Sequence, residues 1–230
     1  MGRLWKIVLA LAVAAGVAYL FVRSLQSTRS EPYSVRAEHL RGWTLALDEA
    51  PGVSGAVLSL RPPQPLAPAL FQQIFSRAME SLAAPPRPGL ALVLQGEFER
   101  SFAGRVAPEA LVAAAEAAGL ASAEPEPVCL AHRRVSAPGV SRQLYFVVFR
   151  LPAFAPFRQR AAALLDQGGA GRHGFEPSAL SPVLIVAASD GSFARWQPVQ
   201  PDQARECVAP IAVVPGTVKP LNSAWHLPQM

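Results

Sequence analysis

Apolar and polar positions divide this chain into a charge-free opening run and a body in which short apolar stretches alternate with helical patterns. The opening run, "IVLALAVAAGVAYLFV" (Ile7–Val22), lies between Arg3 and Lys6 on one side and Arg23 on the other. It falls slightly short of the ~20 residues that a bilayer core asks of a helix. Leu4 and Trp5 lengthen it, because Lys6 can extend its ammonium to the headgroups and Trp5 suits the interface. The pattern predicts a transmembrane signal-anchor over residues 1–23, with Trp5, Lys6, Ile7 and Val22 marking its ends. A cleaved leader ending in "GVA" at Ala18 is the rival, but it would leave the apolar Tyr19–Val22 as a new terminus.

Beyond a linker at 24–41, the same order of patterns appears twice. The string "APGVS" stands at Ala50–Ser54 and again at Ala137–Ser141. After each copy come an apolar stretch, an arginine, a proline-bearing link and an "AP" that opens a helical pattern. Downstream, "GLALVLQGEFERSF" matches "PVLIVAASDGSFARW", placing Gly96-x-Phe98-x-Arg100 against Gly191-x-Phe193-x-Arg195. "VAPEA" then matches "VQPDQ", with proline and an acid at a helix start, where the acid meets the positive end of the dipole. The chain reads as two degenerate copies, Gly42–Gly119 and Val128–Val208, joined by 120–127 and followed by a proline-rich tail at 209–230.

Each copy predicts β-β-α-β-β-α. Strands "WTLALDE" and "VCLAHRRV" lead through a Pro-Gly hairpin turn into "SGAVLSL" and "RQLYFVVF". Helices are expected over Pro68–Ala83, with Leu70, Phe71, Ile74 and Phe75 inward, and over Pro156–Gln167, with Phe157, Ala161, Leu164 and Leu165 inward. An apolar strand, a Gln95-Gly96 or Asp190-Gly191 hairpin and another strand follow. The expected fold is thus an N-terminal transmembrane helix plus an α+β domain of two permuted ferredoxin-like ββαββα repeats, with helices on one sheet face.

Charge changes this picture little. The chain has 230 residues and a net charge of +5, with a pI near 9.9 and a mean hydropathy of +0.24. Setting aside Arg3 and Lys6 leaves 19 basic against 16 acidic residues, scattered except for His132–Arg134. A nucleic-acid protein shows a clustered basic stripe instead, so nucleic acid is not an expected partner. Lys6 and Lys219 are the only lysines, which excludes a Walker A loop, a kinase lysine or a Ser-Lys dyad between them. Cys129 and Cys207 either pair in an oxidising compartment or remain two buried thiols; the spacing alone leaves both open.

Catalytic patterns are faint. Gly169-x-Gly171-x-x-Gly174 follows a helix and runs into a loop, the wrong context for a dinucleotide. Cys129 and His132, three apart on a strand, point to opposite faces. The remaining histidines, His39, His173 and His226, are remote in sequence, so no metal and no cofactor is expected. Glu97 and Glu99 share one face of an expected strand and read as a solvated edge. Arg158 and Arg160 in the first turn of a helix oppose its dipole, and with Arg150 and the loop residue His173 they form the candidate anion site.

These features predict a single-pass inner-membrane protein with an extracytoplasmic domain. The charge count around the anchor leaves a cytoplasmic-facing domain as the alternative. The expected role is interaction or assembly, as an accessory subunit or scaffold whose partner is another membrane or envelope protein. The alternative is a domain binding a small anion or lipid headgroup between the repeats. An enzyme using His132, His173 or Glu176 comes third.

Overall fold

A computed structural model describes residues 13–17, 19, 32–49, 51–78, 80–137, 140–167 and 174–216. The anchor positions Trp5, Lys6, Ile7 and Val22 lie outside the described residues, as do His173, His226 and the end of the tail. Among the described residues no helix is long and apolar enough to cross a membrane.

The fold is mixed α+β, and among the described residues eight strands form one sheet. They are β1 (Tyr33–Arg36), β2 (Thr44–Leu47), β3 (Ala56–Arg61), β4 (Leu90–Leu94), β5 (Glu126–Ala137), β6 (Val140–Arg150), β7 (Val183–Ala188) and β8 (Cys207–Val214). Their order is β1-β8-β5-β6-β7-β4-β3-β2. Every neighbouring pair is antiparallel except β1 with β8. The two apolar strands β4 and β7, buried along their whole length, meet at the middle with Leu90 opposite Leu184. Continuous apolar runs of this kind are what strands covered on both faces require.

The main core lies on one face, under three helices: α1 (Leu66–Ala78), α2 (Pro108–Ala117) and α3 (Phe154–Gln167). Leu70 and Ile74 of α1, Leu111 of α2 and Phe157 and Leu165 of α3 join Leu60, Leu92, Val147 and Phe149 from the strands. Each such side chain contributes about 1.5–3 kcal/mol when fully buried. Pro108 starts α2 without a lost hydrogen bond, and Gly119, at φ 86°, ends it in the left-handed region. Phe75, expected inward, is 47% exposed and stacks on Phe71 at 5.7 Å. The opposite face carries a smaller core of Cys129, Ala131, Leu144, Phe146, Val148, Ile185, Phe193 and Val199.

Several local expectations are corrected. The first Pro-Gly segment is a single helical turn, Pro51–Ser54, followed by Gly55 at φ 77°, and not a hairpin. After Gln95-Gly96 the chain stays helical: Gln95–Glu97 continues into a π-helical turn, Phe98–Phe102. Phe102 and Ser101 are buried there, and the Glu97 carboxylate accepts the Leu94 N–H at 3.0 Å, so side-chain burial and capping favour a coil-up over a strand. After Asp190-Gly191 stands a 3-10 turn, Phe193–Trp196. "PDQARECV" forms one helical turn, Gln203–Glu206, and then enters β8, so 209–214 belong to the sheet and not to the tail.

β8 is fastened covalently. Cys129 of β5 and Cys207 of β8 form a disulfide, with Cα atoms 5.7 Å apart. The pairing Ala131↔Cys207 and Cys129↔Pro210 brings the two sulfurs to one sheet face.

Candidate functional site

The segment from Asp190 to Pro198 crosses the face opposite the long helices. Its course follows from a few side chains. The Asp190 carboxylate accepts the Ser192 N–H at 3.1 Å and the Trp196 indole N–H at 3.0 Å, closing the turn after β7. Phe193 drops into the smaller core, and Val199 anchors the exit. Gly55 lies directly beneath: a Cβ there would stand 3.1 Å from Ala194 Cα and 3.3 Å from Gln197 Cγ. Glycine therefore serves this position twice, by its positive φ and by its lack of side chain.

Open clefts surround that segment. One of about 330 Å³ is lined by Arg133, Arg142, Arg195 and Trp196. A second, of about 250 Å³, is lined by Gln95, Gly96, Glu99 and Arg100. Gln197 and Pro198 form a wall of both. A third, of about 300 Å³, lies between Val53, Pro86 and the Gly191–Arg195 stretch. The largest cleft described, about 420 Å³, sits elsewhere, where Pro62, Pro63, Phe71 and Pro85–Pro88 meet beside α1.

The electrostatics of the first cleft are shared out unevenly. Arg133 grips Glu206 with two hydrogen bonds of 2.5 and 2.9 Å and also donates to the Gln200 carbonyl. That hydrogen bonding lowers the Glu206 carboxyl below its ordinary range and raises Arg133. Burial pushes the Asp190 carboxyl up, but the bonds from Trp196 and Ser192, with Arg142 at 3.6 Å, hold it below the usual range on balance. Arg195 and Arg100 are exposed, and neither has a carboxylate partner among the described residues.

The residues expected to hold an anion do not gather. Arg150 is exposed and pairs with Glu126 at 2.8 Å. Arg160 is exposed on α3. Arg158 is wholly buried, and every guanidinium N–H is used inside the protein. Its two terminal nitrogens reach the Glu97 oxygens at 2.6 and 2.9 Å and the Leu92 and Glu176 carbonyls at 3.1 and 2.7 Å. Nε donates to the Pro177 carbonyl at 3.3 Å, and the plane stacks 4.1 Å from the Phe175 ring centroid. With five donors satisfied, Arg158 has none to offer a ligand; it ties α3 to β4, to the helical turn at Glu97 and to the 175–177 loop.

The other titratable residues are also spread. His132 bonds Gln143 at 2.8 Å and stacks on Tyr145 at 4.5 Å, on the helix side of the sheet, while Cys129 faces the other side in its disulfide. Burial, with Glu80 and Tyr33 nearby, raises the Tyr145 phenol. Glu97 and Glu99 point apart: the first is buried on Arg158, and the second takes the Gln95 amide at 2.8 Å. The Glu176 carboxylate accepts from Ser178 at 2.8 Å. Among the described residues no three His, Cys, Asp or Glu side chains gather as a metal site.

Sequence pattern thus points to helix-start arginines, and the structure assembles other ones. The available signal is the matched Gly-x-Phe-x-Arg motif, whose two arginines, Arg100 and Arg195, reach adjoining clefts. No protein-family profile, curated protein or solved structure matches this chain.

Proposed function

We propose that this protein is a membrane-anchored, envelope-facing binding protein, an accessory subunit or scaffold that contacts another membrane or envelope protein. The observation that carries the reading is the set of open clefts converging on Gly191–Pro198, on the sheet face left free of long helices. The charge-free Ile7–Val22 run supplies the anchor, and the Cys129–Cys207 disulfide supports an oxidising compartment for the domain. In this reading the domain arose by duplication. The mirrored strand order β2-β3-β4 and β7-β6-β5 about the central join supports that, as does the shared Gly-x-Phe-x-Arg motif. A second reading, a site for a small anion between the two halves, is favoured by the three arginines of the larger cleft beside Gln197.

The test is intact mass of protein isolated from membranes without reductant, together with the proteins isolated alongside it. The reading expects a full-length chain near 24.4 kDa that gains about two mass units on reduction, in stoichiometric company with a membrane protein. A chain lacking its first ~18 residues, found free in the soluble fraction, would overturn the anchored reading.

A further inference from the structure

The chemistry of the shared groove narrows the partner. Arg100 and Arg195 hold matching places in the sequence motif, each four residues beyond its glycine (Gly96-x-Phe98-x-Arg100, Gly191-x-Phe193-x-Arg195). They line adjoining clefts of about 250 and 330 Å³ that share Gln197 and Pro198 as a common wall. Both residues are exposed and lack carboxylate partners among the described residues, whereas Arg133 and Arg142 beside them are already engaged by Glu206 and Asp190. The free cations therefore stand one in each cleft, with neutral Gln197 and Pro198 between them.

We propose that this double cleft binds an extended, acidic peptide segment of a partner protein, with one carboxylate held by Arg100 and another by Arg195. The proposal rests on the binding-protein reading above and specifies its surface. An extended chain presents alternate side chains on one face at about 6.5–7 Å intervals, so carboxylates can be spaced to suit two separate guanidiniums. Each guanidinium can take a carboxylate through two parallel hydrogen bonds. Trp196 and Pro198 offer apolar surface to the peptide between the charges. Glu99 and Asp190 border the clefts and set register, since a carboxylate placed against either would be repelled. A bilayer surface is a continuous anionic plane and would meet those two carboxylates along with the arginines, so a discrete segment fits the groove better than a membrane does.

The experiment uses the full chain in detergent micelles and a fluorescein-labelled decapeptide of alternating glutamate and alanine, read by fluorescence anisotropy at low ionic strength. Saturable binding that weakens with salt is expected, and the R100E/R195E variant should lose about tenfold or more in affinity. The R160E variant changes an exposed arginine on the opposite face and should bind as the parent does. An R100Q/R195Q variant, checked by thermal melting, separates lost charge from lost fold. Absence of peptide binding by the parent chain would overturn the proposal, and so would equal weakening by R160E. Displacement of the peptide by inorganic phosphate at matching concentration would overturn it in favour of a small-anion site. Arginine-dependent binding to phosphatidylglycerol vesicles in place of the peptide would overturn it in favour of a membrane surface. If the R100E/R195E chain still co-isolates with a stoichiometric membrane protein, the groove assignment falls and the broader binding reading stands.

Discussion

The two Ala-Pro-Gly-Val-Ser strings share one sequence, and their described residues lie in different elements. In the first half, Pro51–Ser54 closes a helical turn and Gly55 turns left-handed. In the second half, β5 and β6 pair as far as Ala137 opposite Val140, and Pro138 and Gly139 lie outside the described residues. The difference lies in what surrounds the string. Asp48, buried just before the first copy, accepts the Ser54 hydroxyl at 2.7 Å and is also bridged by Arg87, so the serine is drawn inward. The second copy is preceded by the long strand Glu126–Ala137, which carries no such acid, and Ser141 pairs with Ser136. The residue after each string completes the contrast: Gly55 in one, Arg142 in the other. A five-residue match does not dictate geometry.

That contrast also separates what holds the halves together. The central strands meet through Leu90 opposite Leu184, and the Glu97–Arg158 pair crosses the same junction with both partners buried. Arg158→Met should therefore produce the largest loss. Leaving Glu97 buried without its partner costs about 3–5 kcal/mol, read as a lowered urea midpoint, while the E97L/R158M double variant should recover much of it. If the single and double variants fall equally, the pair is not the link between the halves.

The disulfide belongs to the second half alone, and its loss should come next. A C129A/C207A chain should lose about 2–4 kcal/mol, since the bridge closes a long loop. The bridge spans a sequence separation of 78. Reductant should lower the melting temperature of the parent chain and leave that of the variant unchanged.

Exchanging the residues after the two strings sharpens the comparison further. Gly55→Arg requires a side chain at φ 77° and 3.1 Å from Ala194 Cα, and should cost about 1–2 kcal/mol or more. Arg142→Gly sits in an extended strand and should cost only about 0.5–1 kcal/mol. Equal costs in denaturant titrations would mean that the two positions are not conformationally distinct.

The smallest effect concerns pH. Glu206 is held below its unfolded range by Arg133, so its contribution is present above about pH 4.3 and disappears as pH falls through the lower folded value. Glu206→Gln should flatten the acid side of the stability profile below about pH 4.3. A profile unchanged by that substitution would remove Arg133–Glu206 from the acid response.

Much of the fold was legible in the order of residues. Six strands, β2 to β7, and the three helices follow from the apolar pattern, periodic where one side is buried and continuous where both are. What the pattern hides is tertiary. Glu97 reads as a solvated strand residue until Arg158, 61 positions away, is seen to neutralise it. Arg158 reads as a helix-start cation until its five donors are traced to carbonyls and a carboxylate on other elements. Arg100 and Arg195 were visible as matched letters, but their adjoining clefts depend on Gly55 admitting Ala194 from another strand's turn. A local pattern carries no information on such approaches.

The most direct test of the account places a photo-crosslinking side chain at position 195 or at position 160 in membrane-embedded full-length chain. The account predicts one discrete protein adduct from position 195, on the groove face, abolished by Arg100→Glu, and none from position 160. Adducts of equal yield from both positions, or only lipid attached at position 195, would contradict it.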